Sequence, residues 1–248
     1  VSALVVAGLR KTFGALRVTD GIDLAVPEGE RRGIIGPNGA GKTTFFNIIS
    51  GWLPPDAGRV EVFGRDITRL PPAHIAHLGV RRSFQKSALF DALSVEENLR
   101  LAVQATDPSR FDAWGRIGRH RRVLEAARSL AERVGLADEL GRRAGELSYG
   151  RKRQLEIALA LAEKPRILLL DEPAAGASPY ERRLLADLLR DLPRDITIML
   201  VEHDLDLVFN LCDRISVLVR GSVLMTGTPE EVGASGEVQA AYLGTAHA

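Results

Sequence analysis

One stretch of eight residues, Gly36-Pro37-Asn38-Gly39-Ala40-Gly41-Lys42-Thr43, constrains this chain more than any other, following the spacing G-x-x-x-x-G-K-[ST] with a further Thr44 behind it. The apolar run Gly33–Ile35 leads into it, and a periodic apolar stretch beginning near Lys42 and stopping near Gly51 follows. The segment therefore predicts a strand, a tight turn and a helix. Small residues let successive backbone N–H groups turn inward on an anion, and the helix N-terminus adds partial positive charge. Lys42 supplies a full charge, and Thr43 offers a hydroxyl to a divalent cation. Average residue frequencies put a chance match at about one per hundred chains of this length.

The remainder of the chain supplies a sheet for that turn to sit on. Val5–Leu9 and Ile22–Val26 are short apolar runs parted by Thr19-Asp20-Gly21 and Pro27-Glu28-Gly29, and a further strand pair surrounds Val60–Phe63. From about Ser94 to Glu146 the pattern turns helical and rich in Arg and Ala, which predicts an inserted helical subdomain. Strands then alternate with helices: Ile167–Leu170, a helix from about Tyr180, Ile196–Val201, a helix from about Leu205, and Ile215–Val219. That alternation implies an α/β fold whose parallel sheet is covered on both faces. At 248 residues the chain is expected to form one domain, residues 1–248, carrying a helical subdomain at about 86–148.

Composition narrows the partners. Lys+Arg count 33 and Asp+Glu 32, a net charge of +1, which argues against a protein that holds nucleic acid by bulk electrostatics. A single cysteine, Cys212, excludes an internal disulfide and sits among Val208, Phe209 and Leu211, as a buried thiol would. No run approaches the roughly 18 apolar residues of a membrane-spanning helix, and no basic-then-apolar leader opens the sequence. The expectation is a cytosolic chain that meets a membrane through a partner. The basic group Arg116, Arg119, Arg121 and Arg122 reads as a solvated helix face.

Two further sites complete the chemistry. Ile167-Leu168-Leu169-Leu170 ends in Asp171 and Glu172. Beside the phosphate turn, Asp171 would reach Mg²⁺, while strand alternation would turn Glu172 towards a water in line with the terminal phosphate. Leu147-Ser148-Tyr149-Gly150-Arg151 precedes a helix with apolar Leu155, Ala158, Leu159 and Ala162. Ser148 with Gly150 at that helix start makes a second anion site, or simply an N-cap. One chain with one nucleotide needs one phosphate site; two chains facing head to tail use both.

With these motifs in place, the chain resembles the ATP-binding-cassette family over nearly its whole length. The resemblance implies a P-loop NTPase core with a parallel sheet, an N-terminal antiparallel β subdomain and an inserted helical subdomain. Phe13 matches the aromatic that stacks on adenine, and Gly36, Pro37, Asn38, Gly39, Ala40, Gly41, Lys42, Thr43 and Thr44 match the phosphate loop of an ATP site. Gln85, in Arg82-Ser83-Phe84-Gln85, matches the glutamine that senses Mg²⁺ and the lytic water. Ser148 and Gly150 match the family signature, Asp171 a metal-binding acid, Glu172 the general base, and His203 the histidine that contacts the γ-phosphate. Glu172-Pro173-Ala174-Ala175-Gly176, Val201-Glu202-His203-Asp204 and Ala241-Tyr242-Leu243-Gly244 are similar to the ATP-binding subunits of bacterial branched-chain amino-acid uptake systems.

That likeness implies an ATPase working as a homodimer, or a heterodimer with a second related ATPase, on integral membrane permease subunits. A periplasmic solute-binding protein would act with it indirectly, and no nucleic acid would be bound. The chain would lie peripherally on the inner face of the bacterial cell membrane, receiving a permease helix near Lys86-Ser87-Ala88-Leu89-Phe90. Three positions depart from the family: Tyr149 and Arg151 within the signature, and Ala177-Ser178 after the acid pair. A non-transport cassette ATPase acting on ribosomes or DNA is the competing reading, with a P-loop phosphotransferase behind it. The first would usually show tandem cassettes, long coiled-coil insertions or marked basicity.

Overall fold

A computed structural model describes residues 1–83, 89–106 and 116–243, in two compact units. The first unit takes residues 1–82, 166–172 and the chain from 192 onward; the second takes 83–165 and 173–191. The chain opens with β1 (Ser2–Phe13), β2 (Leu16–Pro27) and β3 (Arg31–Ile35), then α1 (Lys42–Ile49), β4 (Ala57–Val62), β5 (Arg65–Asp66), α2 (Pro72–His77) and β6 (Val80–Ser83). The helices α3 (Val95–Thr106), α4 (Arg116–Arg133) and α5 (Tyr149–Ala162) follow, then β7 (Ile167–Asp171) and α6 (Pro179–Asp191). The last stretch comprises β8 (Thr197–Val201), α7 (Leu205–Leu211), β9 (Arg214–Val219), β10 (Ser222–Gly227), α8 (Pro229–Ala234) and α9 (Gly236–Leu243).

Two sheets build the first unit. One is antiparallel, in the order β2-β1-β4-β5; the other runs β10-β9-β3-β8-β7-β6. Within the second, β3 pairs parallel with both β8 and β9, and β7 pairs parallel with β8. Helix α1 serves both sheets. Its Phe45, Phe46, Ile48 and Ile49 are buried in one core with Leu4, Val6 and Val60 of the antiparallel sheet and Ile167, Leu169, Met199 and Val201 of the parallel one. Helical spacing makes this possible, because i, i+3, i+4 positions share a face.

The central strand departs from its reading in sequence. Gly33–Ile35 were expected to begin β3, yet Arg31 and Arg32 belong to it and are buried at 2% and 3% exposure. Buried guanidinium groups persist only when their donors are met. Arg32 donates to Glu30 Oε1 (2.6 Å), Ser216 Oγ (3.0 Å) and the Ala25 carbonyl (3.1 Å), and Arg31 to the Leu192 carbonyl (2.9 Å). The expected pair around Val60–Phe63 is β4 with β5, and Phe63 falls in the turn between them at φ +49°. There the Arg166 guanidinium lies 3.3 Å from its ring centroid, an arrangement that attracts cation to π-face.

Helices α3, α4 and α5 form the second unit's core through Leu99, Val123, Ala127, Leu155, Ala158 and Leu161. Ser94 starts α3 by exchanging bonds with Glu97, whose carboxylate takes the Ser94 N–H at 2.7 Å. Arg121 and Arg122 are exposed on α4, and Arg121 pairs with Glu125 one turn on, at 2.8 Å. Cys212 is buried, which pushes its thiol well above the usual range and leaves it inert. Among the described residues no helix is long and apolar enough to cross a membrane.

Because Phe45 is fully buried where both sheets meet α1, Phe45→Ala is expected to destabilise the first unit by about 3–5 kcal/mol. Urea unfolding of the nucleotide-free chain, followed by intrinsic fluorescence, measures this; a loss below about 1 kcal/mol would mean that the core is not shared.

Candidate active site

Three neighbouring parallel strands, in the order β3-β8-β7, end at the same edge of the sheet. The glycine-rich turn follows β3, Glu202 and His203 follow β8, and Asp171 and Glu172 close β7. In open α/β sheets ligands bind outside the carboxyl ends of the strands, so topology alone gathers these residues.

The turn is shaped by close approaches. A Cβ on Gly36 would stand 2.0 Å from the Leu218 carbonyl oxygen, and one on Gly41, at φ +98°, would stand 2.6 Å from that of Val18. Neither position can hold a side chain. Gly39 (φ +78°) instead opens on space, with Asn38 exposed beside it; Pro37 is half-buried, and Ala40 is buried with its N–H on the Pro37 carbonyl at 3.2 Å. Helix α1 begins at Lys42 with no side-chain cap, which leaves the N–H groups of its first turn for a ligand. Lys42 Nζ donates to the carbonyls of Gly36 (2.6 Å) and Pro37 (3.0 Å). Burial holds this amine below the usual lysine range, while the charges of Glu172 and Asp171 pull it back up. Thr43 is exposed and Thr44 half-buried. From the far end of the chain, Tyr242 of α9 takes a backbone hydrogen bond from Gly36.

Asp171 is 1% exposed and bonded to Arg82 Nη2 at 2.6 Å. The same guanidinium donates to Asn47 Oδ1 (2.6 Å) and lies 5.8 Å from the Phe46 ring centroid. Sequence reading placed Arg82 only as part of a motif; nothing in the spacing announced that it would neutralise the buried acid. Glu172 differs from expectation in how it is aimed. Strand β7 stops at Asp171, and Glu172 takes φ +48°, left-handed backbone that non-glycine residues seldom adopt. This kink, not strand alternation, sets its direction, and its N–H is tied to the Val201 carbonyl at 2.8 Å. Residues held in such conformations concentrate at functional sites. Glu172 Oε1 meets His203 Nε2 at 3.1 Å, both partly open to solvent, and His203 is steadied by its own N–H on Glu202 Oε2 at 3.0 Å.

No cluster of three His, Cys, Asp or Glu that could hold a metal ion exists among the described residues. Thr43 and Asp171 nevertheless suit Mg²⁺, which takes one or two protein oxygens and completes its shell with phosphates and water. Gln85, expected as a third participant, lies outside the described residues. Phe13, at the end of β1, is 49% exposed, so a ring face is open for stacking, and Lys11 Nζ stands 5.7 Å from its centroid.

In the second unit Ser148 is the N-cap of α5, accepting the Arg151 N–H at 3.4 Å. Tyr149 is half exposed and its ring lies beside Gly176, where a Cβ would be 3.8 Å from Cε1. Arg151 Nη1 donates to the Gly135 carbonyl at 2.6 Å. Sequence reading missed Glu181, whose Oε1 accepts the Gly150 N–H at 3.0 Å. The spacing Ser178-Pro179-Tyr180-Glu181 is a helix-start signature that could have exposed it.

The family profile for ABC transporter matches residues 19–175. The chain is 41% identical over 250 residues to the "High-affinity branched-chain amino acid transport ATP-binding protein LivG" of Salmonella typhimurium, covering 98% of each. It is 40% identical over 252 residues to the corresponding BraF protein of Pseudomonas aeruginosa, again covering 98% of each. The crystal structure of an ATP-binding cassette of an ABC transporter in its ADP conformation superposes with a TM-score of 0.87 at 32% identity, over 98% of this chain and 99% of that one.

Arg82→Met removes the guanidinium from a carboxylate that is 1% exposed, and stability is expected to fall by roughly 3 kcal/mol. Thermal unfolding at neutral pH checks this. A variant as stable as wild type would show that Asp171 is held chiefly by other partners.

Proposed function

The chain belongs to the ABC transporter family, and we propose that it is the ATP-hydrolysing subunit of an importer for branched-chain amino acids or a related small polar solute. The contact of Glu172 with His203, at 3.1 Å across the ends of β7 and β8 and on the same strand edge as Lys42, carries the enzymatic part of this reading. The solute rests on the likeness to LivG and BraF.

In this reading Phe13 stacks on adenine, and the first turn of α1, with Lys42, holds the β- and γ-phosphates. Glu172 takes a proton from the attacking water, the oxygen bonds to the γ-phosphorus, and the bond to ADP breaks. His203 touches the carboxylate and reaches towards the γ-phosphate, steadying both. Thr43 and Asp171, with Gln85, would hold Mg²⁺, which neutralises phosphate charge. The helix start at Ser148 and Gly150 serves the γ-phosphate of a second chain, so hydrolysis needs a homodimer or a pairing with a related ATPase. A pair of permease subunits is driven by that dimer, fed by a periplasmic solute-binding protein. The chain then works in the cytoplasm, peripheral to the inner face of the membrane. Of the expected 86–90 contact segment, residues 86–88 lie outside the described residues, and Phe90, 58% exposed, suits a partner helix. Co-purification with integral membrane proteins from native cells tests the transport role; recovery with ribosomes or DNA instead would overturn it.

Glu172→Gln is expected to keep ATP binding while turnover falls roughly 10²–10⁴-fold, the loss typical of a positioned general base. An ATP-bound dimer should then accumulate on size-exclusion chromatography with Mg-ATP, and near-normal turnover would remove Glu172 from the role. Phe13→Ala should weaken nucleotide binding by only about 1 kcal/mol, a stacking-sized loss, and Lys42→Ala by more. Titration with a fluorescent ATP analogue ranks the two; the reverse order would dismiss Phe13 as the adenine platform.

A further inference from the structure

The donors at the start of α5, assigned above to the γ-phosphate of a second chain, already hold an anion of this chain's own. Glu181 Oε1 accepts the Gly150 N–H at 3.0 Å and lies 3.4 Å from Ser148 Oγ. Its other oxygen, Oε2, accepts the N–H and the hydroxyl of Ser178, both at 2.9 Å. The Ser178 bonds, with the Glu181 N–H returned to Ser178 Oγ at 3.3 Å, make a capping box that accounts for Oε2 in full. A helix start needs nothing more from its glutamate. The second oxygen is therefore spent outside its own helix, on the first turn of α5.

The fit there is close. A Cβ on Gly150 would stand 2.5 Å from Glu181 Oε1, so glycine at 150 is what admits the carboxylate. The Ser178 bonds first, and the Gly150 N–H after them, hold Glu181 below the usual carboxylate range, so it is fully charged at neutral pH. A cavity of about 320 Å³ borders the same residues, lined by Ser148, Tyr149, Ser178 and Tyr180 among others, and gives the side chain space to leave.

We propose that Glu181 is an internal counter-anion: it occupies the γ-phosphate donors of α5 in the lone chain and must release them before two chains can close on ATP. The inference rests on the two-chain reading above. Like charges cannot share one set of donors, so the arriving phosphate has to displace the carboxylate. ADP brings no γ-phosphate and leaves Glu181 in place. Association thereby depends on the triphosphate.

The test measures Mg-ATP-driven dimerisation against protein concentration by sedimentation velocity, with Glu172→Gln as the parent so that ATP persists. Adding Glu181→Gln removes the charge and leaves one acceptor oxygen, which can serve Ser178 or Gly150 but not both. The midpoint concentration is expected to fall roughly fivefold, the effect of one exposed charge pair, and a dimer should begin to form with ADP. An unchanged or raised midpoint overturns the proposal. Ser178→Ala separates this role from helix capping, since it weakens the cap and leaves the charge; a midpoint lowered as far as in Glu181→Gln also overturns it. Ser148→Arg should abolish association. If it does and Glu181→Gln changes nothing, only the counter-anion fails. If Ser148→Arg associates like the parent, or the parent never associates, the two-chain reading fails and the counter-anion with it.

Discussion

Asp171 is an acid that ends a strand of the core, and the demands of charge and burial oppose each other. A carboxylate at 1% exposure persists only where a cation or hydrogen-bond donors meet it. Arg82 resolves the conflict. Its guanidinium reaches Asp171 from β6, binds Asn47 on α1 and covers Phe46, so one side chain joins three elements around the acid. The order of the sheet edge suits that knot: β6 lies beside β7, and Arg82 ties Asn47 of α1 to the end of β7.

Much of this architecture could be read in sequence, because several constraints there are local. Ile167–Leu170 became β7 through Asp171, and Ile196–Val201 became β8 from Thr197, since an apolar run of that length has few other places to go. The phosphate turn was legible for a different reason: its chemistry depends on consecutive backbone amides, so its residues must be consecutive too. What escaped were features completed by distant parts of the chain. Arg31 and Arg32 look like the end of a loop until Ser216 and Leu192 arrive to bond them. Glu181 looks like a helix cap until Gly150 supplies a second donor. The direction of Glu172 escaped because it is a property of one backbone angle, and sequence periodicity carries no information on a single left-handed residue.

The charged groups of the strand edge form a balanced set. Lys42 is drawn towards Asp171 and Glu172, yet its amine rests on the carbonyls of its own turn. Carbonyls are ligands that a phosphate can replace without moving the helix, whereas an ion pair with Glu172 would have to be broken. Glu172 meanwhile meets the imidazole of His203, with Oε1 and Nε2 3.1 Å apart.

Strand β3 has as its neighbours β8 and β9, more than 160 residues later in the chain. The antiparallel sheet, by contrast, is finished by Asp66. On a ribosome, then, the hairpin of β1 and β2 can pair as soon as it emerges, while the strand that carries the phosphate turn must wait for β8 and β9. Until Thr197 onward is released, its apolar residues have no parallel partner, and Gly36 lacks both the Leu218 carbonyl it packs against and the Tyr242 it bonds. Non-local pairing of this kind folds slowly and exposes strand edges meanwhile. A nascent chain therefore has no working nucleotide pocket to fill until the segment from Thr197 to Tyr242 has joined β3 and its turn.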